Sequence, residues 1–170
     1  MKKLIAIVCI LALCLGVLAA CGERVTEPEV DTSAPVGVAL VYGETKIDVT
    51  VGQWEEKRTQ ITTADVSLGT SKEYEFTGVT LASLMEIAGV TDCTNILVKS
   101  SDGWSAEVAP EDAKAYDILI TDAYVGGKEI PADAGGPIKM VFPATEHPEL
   151  NDIYDTWSWQ WYVCEVEFVK

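Results

Sequence analysis

Histidine occurs once in this chain, at position 147, and Lys and Arg together number 12 against 27 Asp and Glu. Each shortage excludes something. A lone His147, with the cysteines of the body in or beside predicted strands, leaves no Ser-His-Asp or Cys-His constellation that spacing recommends. The H-E-x-x-H helix, the P-loop, the G-x-G-x-x-G fingerprint and the EF-hand loop are missing as well. Without the first twenty residues, which carry Lys2 and Lys3, the balance is 10 bases against 27 acids, or −17. A body of that sign repels nucleic acid. There is no C-x-x-C pair to act as a redox dithiol. The longest apolar run, Leu4 to Ala20, is seventeen residues with Gly16 inside it, short of the roughly 20 needed to cross a bilayer.

What is present is a chain of 170 residues, 48% of them hydrophobic, enough for one domain with a tail. Met1-Lys2-Lys3 followed by the Leu4–Ala20 run has the layout of a secretory signal peptide. Leu18-Ala19-Ala20-Cys21-Gly22 resembles the lipobox of bacterial lipoproteins. That resemblance implies cleavage before Cys21, acylation of its thiol with palmitate-type chains, and a cell-envelope, extracytoplasmic protein anchored to the membrane through lipid on Cys21. Several acyl chains hold a protein stably, at about 0.8 kcal/mol per buried methylene. Residues 21–35 are acidic and proline-bearing and cannot repay their ordering entropy, so they read as a tether. The organisation expected is therefore signal 1–20, lipidated tether 21–35 and domain 36–170. Cys9 and Cys14 leave with the signal, and Cys93 and Cys164 remain for the domain. Two cysteines in an exported protein suggest one disulfide, the alternative being two separate thiols.

Along the body, Val36–Tyr42 and Lys46–Val51 flank Gly43-Glu44 and read as a hairpin. Gly52–Arg58 reads as a short helical turn, and Thr62–Leu68 and Glu73–Phe76 as strands. Thr80–Ala88 is the clearest helix, with Thr80 as N-cap, Leu81, Leu84, Met85 and Ala88 on one face, and Gly89 as the stop. Asn95–Ser100 and Trp104–Val108 pair across the turn Ser101-Asp102-Gly103. Pro110–Lys114 opens a helix. Ile118–Ala123 and Ile138–Phe142 are strands either side of a turn over residues 125–131. Tyr162–Phe168 closes the chain with Tyr162, Cys164, Val166 and Phe168 on one face. The class is α+β: a mixed, mainly β sheet with a few short helices.

Two clusters carry chemistry. Glu146-His147-Pro148-Glu149 with Asn151, Asp152 and Asp155 gathers oxygen and nitrogen ligands on one loop; it reads as a cation site or, more simply, as a solvated acidic loop. Trp157-Ser158-Trp159-Gln160-Trp161-Tyr162 would, as a strand, put three tryptophans on one face. These either pack over the sheet or wall a pocket for a planar or cationic ligand.

Phe76-Thr77-Gly78-Val79-Thr80-Leu81, Ser101-Asp102-Gly103-Trp104 and Gly135-Gly136-Pro137-Ile138-Lys139-Met140-Val141-Phe142-Pro143, in that order, resemble the molybdopterin-binding domain of sulfite-oxidase-type oxidoreductases over roughly residues 49–168. The resemblance implies that family's mixed α+β fold and a molybdopterin cofactor whose metal is bound by a cysteine thiolate ahead of the Gly-Val helix. The corresponding stretch here is Val66-Ser67-Leu68-Gly69, which puts Ser67 where that cysteine would stand, and Lys139 replaces the usual arginine. A serine hydroxyl is a harder, less readily ionised ligand, and lysine lacks the bidentate phosphate fork.

Ser67 and Lys139 are thus the cofactor-facing candidates, and Asp102, Trp104, His147 and Trp157 the ligand-binding candidates, in a cleft between the 102–104 hairpin and the 147–157 loop. The expected function is a lipid-anchored binding or accessory module with no catalytic residue, no metal and no cofactor. Its partners would be the membrane, a small molecule or another envelope protein. The alternatives are an oxidoreductase holding molybdopterin in an atypical site, and a structural envelope protein.

Overall fold

The computed structural model describes residues 36–170; the signal, tether and Cys21 lipidation expected from the sequence lie outside the described residues. The chain opens on the expected hairpin, β1 (Gly37–Tyr42) and β2 (Thr45–Thr50), with Gly43 at φ 62 in its turn. Two 3-10 turns, Val51–Gln53 and Glu55–Lys57, lead into β3 (Arg58–Ala64) and, after a further 3-10 turn at Val66–Leu68, β4 (Glu73–Thr80). Helix α1 (Leu81–Ile87) follows directly. The Thr80 hydroxyl accepts from the Ser83 amide and buries Leu81, Leu84 and Met85 behind it. β5 (Asn95–Ser100) and β6 (Ser105–Val108) precede α2 (Pro110–Ala115), which starts on proline. β7 (Leu119–Tyr124), the short β8 (Lys128–Glu129) and β9 (Lys139–Val141) come next, then α3 (Leu150–Ile153), a 3-10 turn at Thr156–Ser158, and β10 (Val163–Val169).

These strands form two sheets. One has the order β2-β1-β10-β5-β6, with β10 parallel to β1 and antiparallel to β5, so the C-terminal strand is slotted between the first hairpin and the β5-β6 hairpin. The other has the order β3-β4-β7-β8, with β9 also on β7. A single buried cluster draws on both sheets, from Leu40, Ile96, Val166 and Phe168 in the first to Phe76, Ile120 and Met140 in the second. At the β4–β7 pairing Gly78 is required by close approach: a Cβ there would meet the Ile120 carbonyl oxygen and Thr121 Cα, beside a register shift between Thr77 and Gly78. No helix among the described residues is long and apolar enough to cross a membrane.

Three sequence expectations need correction. Thr62–Leu68 is not one strand; it stops at Ala64, because Asp65 turns the chain into the 3-10 turn that Gly69 ends at φ 64. The last strand starts at Val163, since Tyr162 has a φ of 53, and a bulge between Val163 and Glu165 leaves Cys164 off the face shared by Val163, Val166 and Phe168. Cys93 and Cys164 are free thiols, not a disulfide. β10 pairs Val163 with Ser100 and Val169 with Asn95, and Thr94 donates to the Val169 carbonyl while Cys164 Sγ lies against the Lys99 carbonyl. Cys93 and Cys164 therefore stand at opposite ends of this ladder, about 17 Å of strand apart, where a disulfide needs Cα atoms within about 7 Å.

Candidate functional site

The cleft lies where residues 159–162 cross from the second sheet to the first. Three backbone bonds hold this crossing: Met140 N to Gln160 O at 2.8 Å, Tyr162 N to Gly135 O at 2.9 Å, and Ser101 N to Tyr162 O at 3.0 Å. Ser67, Ser100, Asp102, Trp104, Thr156, Trp157 and Trp159–Tyr162 line a cavity of about 260 Å³. The expectation that Trp157, Trp159 and Trp161 share a strand face fails, because Thr156–Ser158 is a 3-10 turn. Asp155 makes that turn by accepting from the Trp157 and Ser158 amides. The three indoles consequently part. Trp157 is 73% exposed, Trp159 is buried against Phe142, and Trp161 lies between. Trp104 crosses from the 101–104 hairpin to stack on Trp157, ring centres 6.0 Å apart and planes 20° apart. Its own ring is 63% exposed.

Behind the cleft wall is a buried polar centre. Lys139 projects from the short strand β9 into an interior where it and Asp65 are both inaccessible to solvent. Its three N–H donors are all committed: Asp65 Oδ2 at 2.6 Å, Ser67 Oγ at 3.1 Å and the Ala134 carbonyl at 3.1 Å. Ser67 is equally full. Its hydroxyl donates to Asp65 Oδ1 at 2.5 Å and accepts from both Lys139 Nζ and Trp161 Nε1, the latter at 3.0 Å. Burial pulls the Lys139 ammonium below the ordinary lysine value of 10.5, and the attraction and hydrogen bond of Asp65 oppose that pull. Lys139 Nζ also stands 5.4 Å from the centre of the Trp161 ring.

Of the residues singled out in the sequence, Ser67, Asp102, Trp104 and Trp157 are brought to one cleft, with Lys139 directly behind it. His147 is not among them. It packs edge-on to Tyr116 at 4.9 Å and lines a separate polar depression with Gln60, Thr62 and Asp117. The 147–157 loop turns away through α3 before it reaches the cleft. Nor do the acidic residues of that loop converge on a cation, since among the described residues no three His, Cys, Asp or Glu side chains are grouped to hold a metal. Asp155 caps its own turn, His147 faces Glu149 at 3.4 Å, and Tyr154 donates to Asp112 across to α2 at 2.6 Å.

That last contact has a measurable consequence. Burial first, and the Asp112 hydrogen bond second, push the Tyr154 phenol up to about 12. The fold then keeps a proton that the unfolded chain loses near pH 10, so this group's stabilisation is present below pH 10 and is lost between 10 and 12. Tyrosinate absorbance should show a component near pH 12 that Tyr154→Phe removes.

Sequence reasoning did not single out Asp65 or Trp161 as partners of Ser67 and Lys139. The signal was there: a lysine in the middle of the apolar strand IKMVF must find a buried acid, and Asp65 is an isolated acid two residues before Ser67.

The sequence pattern of the family described as the oxidoreductase molybdopterin binding domain matches residues 44–147, more than half of the chain. The chain belongs to this family. No curated protein matches it. Among solved structures, it is similar to the sulfane dehydrogenase SoxCD from Paracoccus pantotrophus, at 15% identity and a TM-score of 0.57 over 79% of this chain. It spans 38% of the length of that SoxCD chain. At that identity the likeness is one of fold, and it agrees with the mixed-sheet class read from the sequence.

The residues here do not fit a thiolate-bound metal with an anionic pterin. Neither described cysteine lines the cleft. The Ser67 hydroxyl and the Lys139 ammonium have no donor or lone pair left for a ligand, and the one charged side chain in the lining, Asp102, is an acid that repels phosphate.

Proposed function

We propose that this chain is a lipid-anchored envelope protein whose molybdopterin-binding-type domain works as a non-catalytic ligand-binding or accessory module through the tryptophan-lined cleft. The anchor rests on the lipobox-like Leu18-Ala19-Ala20-Cys21 and the apolar run before it. The binding role rests above all on the closed Asp65–Ser67–Lys139 centre. The two positions that the family resemblance assigns to metal and phosphate are tied to each other, so the cleft in front of them offers aromatic faces instead of ligating atoms. A fold shared with oxidoreductases does not carry their chemistry with it. The purely structural reading is disfavoured because Trp104 and Trp157 are the two most exposed large apolar side chains described.

The deciding experiment is elemental and mass analysis of the mature protein purified from its own host, with export and cofactor insertion intact. The expected result is a lipid-modified N-terminal Cys21 and substoichiometric molybdenum with no pterin. Stoichiometric molybdenum and pterin in the folded protein would establish the oxidoreductase alternative instead.

A further inference from the structure

Resting on that binding-module reading, we infer that the cleft takes a small organic cation with a methylated ammonium head. The lining is unusual in what it combines. Five aromatic residues, Trp104, Trp157, Trp159, Trp161 and Tyr162, surround a site whose one charged side chain is Asp102, with no base in the lining. Aromatic faces attract a cation through the ring quadrupole, tryptophan most strongly, and this attraction grows where water is excluded. Trp104 and Trp157 give the largest available faces, and Asp102 is next to them, its Oδ1 fixed by the Trp104 amide at 3.2 Å. The surrounding domain reinforces the choice: residues 36–170 carry 9 bases against 23 acids, a charge of −14, which raises the local concentration of cations and depletes anions.

The acid-only charge of the lining, together with the scarcity of free polar groups, favours a methylated ammonium over a polyhydroxyl ligand such as a sugar, which would also stack on tryptophan. A sugar needs free donors and acceptors, because each buried hydroxyl left unpaired costs free energy. Here most of the polar side chains are already bonded within the protein, the Thr156 hydroxyl and Trp159 Nε1 excepted. Ser100 Oγ lies 2.7 Å from Gln160 Oε1 and 2.5 Å from the Trp161 carbonyl. The Gln160 amide donates to the Trp157 carbonyl at 2.8 Å, the Tyr162 hydroxyl to the Ala132 carbonyl at 2.9 Å, and Ser67 is saturated as described. A quaternary ammonium makes no demand of this kind, since its charge is spread over methyl groups that lie flat on aromatic rings. Lys139 does not compete for the site, because it is buried behind Ser67 and neutralised by Asp65.

The test uses the mature chain, with choline chloride as the probe and 3,3-dimethyl-1-butanol as its neutral isostere, followed by tryptophan fluorescence and calorimetry. Saturable choline binding is expected, at least tenfold tighter than the neutral isostere. Trp104→Ala and Trp157→Ala should each weaken it about tenfold, and Asp102→Asn should weaken it severalfold while keeping the oxygen that accepts the Trp104 amide. Both indoles are exposed, so the thermal unfolding of these variants should stay close to that of the parent and show that lost binding is not lost fold. Equal binding of the isostere, or tighter binding of glucose, would overturn the cation assignment and leave the binding module standing. Binding to phosphatidylcholine vesicles without binding of free choline would overturn it in favour of a membrane surface. Choline binding unaffected by any of the three substitutions would place the site elsewhere and overturn it too. Stoichiometric molybdenum and pterin in the native protein would remove the underlying reading itself.

Discussion

Lys139→Met should cost about 3–5 kcal/mol of stability, the range for breaking a fully buried ion pair by removing one partner. The loss would come from what is left behind more than from what is taken away. Asp65 is fully buried, and without the ammonium its Oδ2 keeps no counter-charge. The Ser67 hydroxyl and the Ala134 carbonyl lose a donor at the same time. Asp65→Asn attacks the same pair from the other side and gives a pH signature. It removes the one attraction that holds the Lys139 pKa up against burial, so the folded-state value falls further below 10.5 while the unfolded one does not. Below 10.5 the unfolded chain then binds more protons than the fold, and stability rises as pH rises through that window. Denaturant midpoints of Asp65→Asn between pH 7 and 10 should therefore climb relative to the parent. The double variant Asp65→Leu/Lys139→Met, apolar on both sides, should recover much of the loss. A single variant as stable as the parent would mean that water reaches this centre.

This pair also marks the limit of what the sequence tells. Local signals were legible wherever a short segment decides its own structure: the Gly43 hairpin, the Thr80 cap and its Leu81-Leu84-Met85 face, the proline at the start of α2. The family and the mixed-sheet class were legible from ordered motifs. What escaped was set by contacts distant in sequence. Asp65 interrupts a β-branched stretch to reach Lys139, 74 residues on. The bulge at Cys164 depends on pairing with β5, and no feature of Tyr162–Phe168 alone marks it. The tryptophan segment has the composition of a strand, yet Asp155 caps it into a turn, and this is what sends Trp157 outward and Trp159 inward. Five of the six candidate site residues met in or against one cleft; His147 was drawn off by Tyr116, a contact that alternation and spacing do not encode.

Gly135→Ala should disrupt the cleft through a single methyl, at about 2–6 kcal/mol. Gly135 ends a 3-10 turn, Ala132–Ala134, with φ at 92, a conformation that an L residue adopts only with strain of about 1–3 kcal/mol. Its missing Cβ is also where the Trp161 indole sits. A methyl there would press on ring atoms Cγ, Cδ1 and Cδ2 rather than on a flexible tip, and overpacking of that kind costs a further 1–3 kcal/mol or so. Relief can come only by moving Trp161, whose Nε1 then leaves Ser67 and whose ring leaves Lys139. Because Tyr162 N is bonded to the Gly135 carbonyl, the displacement passes into the crossing that forms the cleft floor. The expected result is a lower unfolding midpoint together with a changed tryptophan emission and near-ultraviolet circular dichroism of the folded protein. Trp161→Phe in the same background discriminates the causes. The smaller ring makes room for the methyl, so the double variant should regain the packing part of the loss while keeping the backbone part. If Gly135→Ala were no less stable than the parent, the wall of the cleft would be able to yield, and a site built on fixed aromatic faces could not be right.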